Sequence, residues 1–245
     1  MLSLEEIFQA RNRLAPYVYH TPLLHLHALD PLLGCQVYVK AECMQLTHSF
    51  KIRGALNRIL QLTPEERARG VVTASSGNHG RGVAYAAKML GIKATVVIPD
   101  HAPAVKIQAV RDLGAEVILC DKPKRFAIAE KLRDEKGLCY IPPFNDYAVM
   151  AGQGTIALEI FQDLPDPAAV LVPLGGGGLT SGIATAIKGI RPETRVYACE
   201  PARIPRFTVS LKEGRPTAVP QVDTIADGVA TLCPGDKTLP IVRDK

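Results

Sequence analysis

The sequence predicts an α/β protein with buried parallel strands. Three observations carry this: short apolar, β-branched runs alternate with helix-period segments, glycines punctuate the helix ends, and a run of four glycines joins a strand to a helix. The chain opens with Met1 to Ala15, read as an amphipathic helix containing Glu5 and Glu6. Strands are expected at Gln36 to Lys40, Gly70 to Thr73, Ala94 to Pro99, Glu116 to Cys120, Ala168 to Leu174 and Arg195 to Cys199. Helical patterns fall at Phe50 to Leu60, His79 to Leu90, Pro103 to Leu113, Arg125 to Lys136, Val149 to Gln162 and Leu179 to Ile190, with a last helix within Asp236 to Lys245. Leu90-Gly91, Leu113-Gly114 and Lys136-Gly137 read as helices that stop at a glycine before the next strand.

The four glycines Gly175, Gly176, Gly177 and Gly178 stand between the apolar run Val170 to Leu174 and the helix pattern that starts at Leu179. Where side chains vanish at a strand-to-helix junction, backbone N–H groups can close on an anion and the helix N-terminus adds its positive dipole. One or two glycines would suggest only a turn; four point to an anion site. Neither nucleotide motif fits the letters: the sixth place counted from Gly175 is Thr180, and Gly178 is followed by Leu179 rather than by Lys-Ser/Thr. A single phosphate monoester is the ligand this cradle suits.

Composition excludes several classes. The chain has 245 residues, 47% hydrophobic and 22% charged, enough to bury a sizeable core, and a net charge of only +5. Its basic stretch, Lys122 to Lys136, is interleaved with Asp121, Glu130, Asp134 and Glu135 and lacks aromatic interleaving, so it reads as a solvated helix face and not as a nucleic-acid patch. The six cysteines form no C-x-x-C pair, and reduced thiols in a cytoplasmic protein are expected, with Cys120 and Cys199 in buried strands. No secretory signal or bilayer-spanning run is read.

Two further segments carry chemistry. In Ser49-Phe50-Lys51-Ile52-Arg53-Gly54, Lys51 taken alone would be a solvated lysine and Ser49 a helix N-cap. In Ser75-Ser76-Gly77-Asn78-His79-Gly80, Ser76 and Asn78 could equally cap the helix that follows, and His79 could be structural. Read together with the tetraglycine, these segments resemble the fold type II pyridoxal-phosphate enzymes, specifically the serine/threonine dehydratase and serine racemase family. The resemblance runs from His20-Thr21-Pro22-Leu23 to Thr224-Ile225-Ala226-Asp227-Gly228. It implies two parallel-sheet domains of the tryptophan synthase β-like type: a large one over 1–68 and 147–245 that holds the cofactor phosphate, and a small one over 69–146.

The resemblance also assigns roles. Lys51 matches the lysine covalently joined to pyridoxal 5′-phosphate, Asn78 the contact to the pyridine 3-oxygen, and Gly175, Gly176, Gly177, Gly178 and Leu179 the phosphate loop. Ser75, Ser76, Asn78 and His79 would hold the substrate. The implied reaction has Lys51 taking the Cα proton of L-threonine or L-serine, with loss of the β-hydroxyl and release of a keto acid and ammonia. Ser76 matches the acid/base of racemases and hydroxyaspartate lyases, whereas Pro142-Pro143-Phe144 resembles dehydratases, so a racemase stays open beside the dehydratase. No metal is expected, because Arg206 stands where racemase-like members place an acidic ligand six residues beyond Glu200. Family chains continue past the place where this one stops at Lys245. The resemblance therefore implies a large domain incomplete at its C-terminus, a homodimer once the fold is completed, and little turnover by the short chain; a non-catalytic phosphate-binding remnant is the reading from another class.

Overall fold

The computed structural model describes residues 1–75 and 77–245. Helix α1 (Leu4–Leu14) starts at a capping box in which Ser3 and Glu6 satisfy each other's backbone amides, and it buries Ile7, Ala10 and Leu14. Strand β1 (Leu23–His25), the short helix α2 (Asp30–Leu33) and strand β2 (Tyr38–Lys40) follow, the two strands pairing antiparallel. Helices α3 (Lys51–Ile59) and α4 (Pro64–Arg69) lead into a four-stranded parallel sheet. Its strands are β3 (Val71–Ala74), β4 (Ala94–Pro99), β5 (Glu116–Cys120) and β6 (Cys139–Tyr140), in the order β5-β4-β3-β6. They are connected through α5 (Asn78–Met89), α6 (Ala104–Arg111) and α7 (Arg125–Lys136). After α8 (Tyr147–Asp163), strands β7 (Ala169–Pro173) and β8 (Arg195–Cys199) pair in parallel around the crossover helix α9 (Gly178–Ile190). Helices α10 (Arg206–Glu213) and α11 (Thr238–Asp244) follow.

The parallel α/β architecture agrees with the sequence, and Gly91, Gly114 and Gly137 take the left-handed conformation expected after α5, α6 and α7. Three expectations are corrected. The run Gln36 to Lys40 is no buried parallel strand: only Tyr38–Lys40 is extended, it pairs antiparallel with β1, and Val39 faces solvent. Cys199 is exposed and Cys120 only partly buried, because one face of β8 and the edge position of β5 are left open. Strand β6 was not foreseen, since two residues are too few to establish a period.

Four helices set the geometry of the site by approaching at glycines. A Cβ on Gly82 of α5 would lie 3.3 Å from the backbone of Lys51 and Ile52 on α3, and one on Gly152 of α8 would lie 2.7 Å from Cα of Gly54 on α3. A Cβ on Gly154 of α8 would come within 2.8 Å of the Gly182 carbonyl on α9. No side chain fits at these crossings, so backbones touch, and α5, α3, α8 and α9 form one packed row. Around this row lie the core formed by Ile52, Leu56, Val83 and Val96 and the core formed by Ile7, Met150, Ile183 and Ile187.

Candidate functional site

Lys51 is the first residue of α3. The cap at Phe50 makes no side-chain bond, so the N-cap expected of Ser49 is corrected: its hydroxyl is buried and has no partner among the described residues. The Lys51 ammonium donates to the Pro143 carbonyl at 2.8 Å and lies 5.2 Å from the Phe50 ring centre. It has no carboxylate partner among the described residues, and burial lowers its pKa to about 8. Desolvation of an unpaired cation is the cause, and the consequence is an amine that releases its proton far more easily than a surface lysine.

His79 follows Asn78 in the first turn of α5 and is buried. Its Nε2 lies 3.0 Å from the Ile141 carbonyl. A carbonyl can only accept, so Nε2 carries the hydrogen and Nδ1 does not. Nδ1 has no partner. Burial, followed by the nearby Lys51 charge, depresses the His79 pKa to about 3. The segment after β6 thus serves both residues, Ile141 holding His79 and Pro143 holding Lys51.

Ser75 follows β3 directly and accepts a 3.3 Å bond from the Gly77 amide, and Asn78 opens α5. Neither caps that helix: its N-cap is Gly77, with no side-chain cap bond. Ser76 lies outside the described residues. Lys51, Ser75, Asn78 and His79 share one cleft of about 1710 Å³ with Gly175 to Leu179, so the sites expected from three separate segments come together. Lys51 itself is not at a strand end; it reaches the cleft from a helix start.

The glycine loop is fixed from behind. Arg206, fully buried, donates through Nε to the Gly175 carbonyl at 2.9 Å and through Nη2 to that of Leu174. The Thr238 hydroxyl donates to the Gly176 carbonyl at 2.7 Å. Every described peptide is trans, so the next amide points opposite to each of these carbonyls. The amides of Gly175, Gly176 and Gly177 therefore face away from Arg206 and Thr238, and among the described residues they donate to no backbone carbonyl. A Cβ on Gly178 would lie 2.9 Å from Phe144 Cα, and one on Gly177, at φ 96°, would lie 2.7 Å from Thr238 Cβ. Side chains are excluded and amides are presented at the start of the thirteen-residue helix α9, which is what a phosphate group needs.

Sequence reasoning missed Thr238 altogether and saw Arg206 only as the residue that stands in place of an acidic metal ligand. Glu200, its neighbour at 3.9 Å, accepts from the Phe207 and Thr208 amides and so caps α10. Arg53, also fully buried, stands two residues after Lys51, and the letters around it reveal no task for it. It pairs with Glu42 at 2.8 Å and with Glu159 at 2.5 Å, while Lys40 reaches Glu159 at 2.8 Å, an ion network that ties α3 to β2 and α8.

A parallel α/β scaffold that brings a half-buried lysine, a helix start and a bare glycine loop to one cleft is suited to a phosphate-bearing cofactor. The comparisons with known proteins agree: the model of the pyridoxal-phosphate dependent enzyme family matches residues 14–245, and the chain belongs to that family. It is 46% identical to an L-threonine ammonia-lyase of Geobacter sulfurreducens, over 100% of this chain and 61% of that protein. It is 42% identical to a serine racemase of Oryza sativa, over 98% of this chain and 71% of the relative. The solved maize serine racemase superposes with a TM-score of 0.96 at 40% identity, over 99% of this chain and 74% of that one. The fold is that of the fold type II enzymes of this family. The chain spans about three fifths of the length of the Geobacter relative.

Proposed function

We propose that the protein is a pyridoxal-phosphate-dependent ammonia-lyase for a small hydroxy amino acid, L-threonine or L-serine, yielding a 2-oxo acid and ammonia. The observation that carries this is a half-buried lysine, its pKa brought down to about 8, in the same cleft as a four-glycine cradle in which the amides of Gly175, Gly176 and Gly177 donate to no backbone carbonyl among the described residues. Gly175 to Leu179 would hold the phosphate and Lys51 the aldehyde carbon of the cofactor, with Asn78 beside its ring. When bound, the cofactor supplies an electron sink for negative charge at the substrate Cα. Lys51 Nζ takes the Cα proton, and its lowered pKa puts it in the neutral form at a useful fraction near neutral pH. Ser75, His79 and the α5 N-terminus orient the amino acid, and the Pro143 carbonyl keeps Lys51 Nζ directed into the cleft. We assign residues 69–146 to a small domain and 1–68 with 147–245 to a large one, acting as a cytoplasmic homodimer that binds no nucleic acid. Among the described residues no helix is long and apolar enough to cross a membrane.

The test is formation of 2-oxobutanoate from L-threonine by the cofactor-loaded protein, with Lys51→Ala as the inactive control. Borohydride treatment should fix the cofactor to the peptide that contains Lys51; a cofactor fixed elsewhere would overturn the assignment. A racemase is the second reading, favoured by the likeness to the rice and maize serine racemases and by Ser76, which would act on the opposite face. D-serine as main product, lost in Ser76→Ala, would establish it.

A further inference from the structure

Away from the cleft, His25 at the end of β1, His27 two residues on and Asp30 at the start of α2 place one ligand atom each within 4.8 Å of one another. The arrangement is built. Asp30 Oδ1 accepts the Val37 amide at 2.9 Å, which fixes the carboxylate and leaves Oδ2 toward His25 Nε2 at 2.7 Å. Tyr38 stacks on the His25 ring at 4.5 Å, and the His27 ring lies 3.7 Å from it, tilted by 42°. A His–Asp pair alone would brace the turn between β1 and α2, but it would not need the second imidazole. Zinc bonds of about 2.0–2.1 Å in a tetrahedron set donor atoms about 3.4 Å apart, a spacing inside the 4.8 Å limit that holds among these three atoms.

We propose that His25, His27 and Asp30 form a binding site for a divalent transition ion of the zinc type. Two imidazoles and one carboxylate favour such an ion over magnesium or calcium, which take mostly oxygen ligands. The backbone bond to Asp30 and the Tyr38 stack supply the outer support that ligands require, and the exposure of His27 leaves a position for water. The site is distinct from the cofactor cleft and from Glu200.

Calorimetric titration of the full chain with zinc chloride tests this, with thiols alkylated beforehand because Cys35, Cys43 and Cys199 are exposed. One equivalent should bind, and affinity should fall about tenfold or more in His27→Gln and in Asp30→Asn but stay unchanged in His101→Gln, a surface control. His27 is exposed, so its replacement leaves the fold intact and that variant decides the matter. No binding by the wild type, or undiminished binding by His27→Gln, overturns the proposal.

Discussion

The units β3–loop–α5 and β7–loop–α9 share one local grammar, a short apolar strand running through a glycine-containing turn into a helix, yet they serve the cleft in opposite ways. The first presents side chains, Ser75, Asn78 and His79, from a strand whose four residues are all buried. The second presents backbone amides, and its strand is buried on one face only, with Leu171 67% exposed and opposite Tyr197. The first unit is therefore held by hydrophobic packing on both faces, and the second by polar clamps on its loop. Placement of a reactive group can come from either source, but each source fails under a different substitution.

The largest effect should follow Arg206→Met. Two carbonyls, those of Leu174 and Gly175, lose their donor, while that of Ile204 keeps the Arg206 backbone amide, and stability should fall by about 4 kcal/mol in urea unfolding. Affinity should drop more for pyridoxal phosphate than for phosphate-free pyridoxal; an equal drop for both would show that the clamp does not act through the phosphate loop. Next, Ile98→Ala in β4 should cost about 3 kcal/mol, since Ile98 is buried in the core beneath the first unit. In that variant the ratio of the two cofactor affinities should stay as in the wild type.

Lys51 lies between the units, and its pH dependence separates them from a site that is merely apolar. A lysine whose folded pKa is about 8 against 10.5 unfolded binds fewer protons in the native state between those values. Stability is therefore reduced at pH 8 and below, and it recovers as pH rises toward 10.5. The difference between wild type and Lys51→Met should shrink by about 2–3 kcal/mol across that window, as read from unfolding curves. A constant difference would mean that the ammonium is already solvated. The smallest effect belongs to Leu171→Ser, within about 0.5 kcal/mol, because this side chain is largely in water already. A loss several times larger would show that the open face of β7 and β8 is covered in solution.

Both loops were legible in the sequence, for different reasons. A run of four glycines has few uses, so the cradle at Gly175 to Gly178 stood out without its clamp. Lys51 and Asn78 were legible only through the resemblance of their segments, since a lysine or an asparagine near a helix start is ordinary by itself. The capping roles weighed for Ser49 and Asn78 came from local propensity, and tertiary packing set them aside: Ser49 is buried with no partner among the described residues, and Asn78 lines the cleft. Cys199 was expected to be buried because its strand is apolar, yet no local pattern says whether both faces of a strand are covered.

The sequence by itself determined where most strands and helices lie, where helices stop at Gly91, Gly114 and Gly137, and that Gly175 to Gly178 join a strand to a helix without side chains. These features depend on residues a few positions apart, whose periods and backbone freedom are readable in order. Only the tertiary structure decided that Arg206 and Thr238 turn the loop's amides away from themselves, that Ile141 fixes the tautomer of His79, and that Pro143 is the polar partner of Lys51. Each of these joins groups 31 to 92 residues apart. They exist because α5, α3, α8 and α9 touch backbone to backbone, and a buried donor or acceptor takes whichever partner that packing brings within reach.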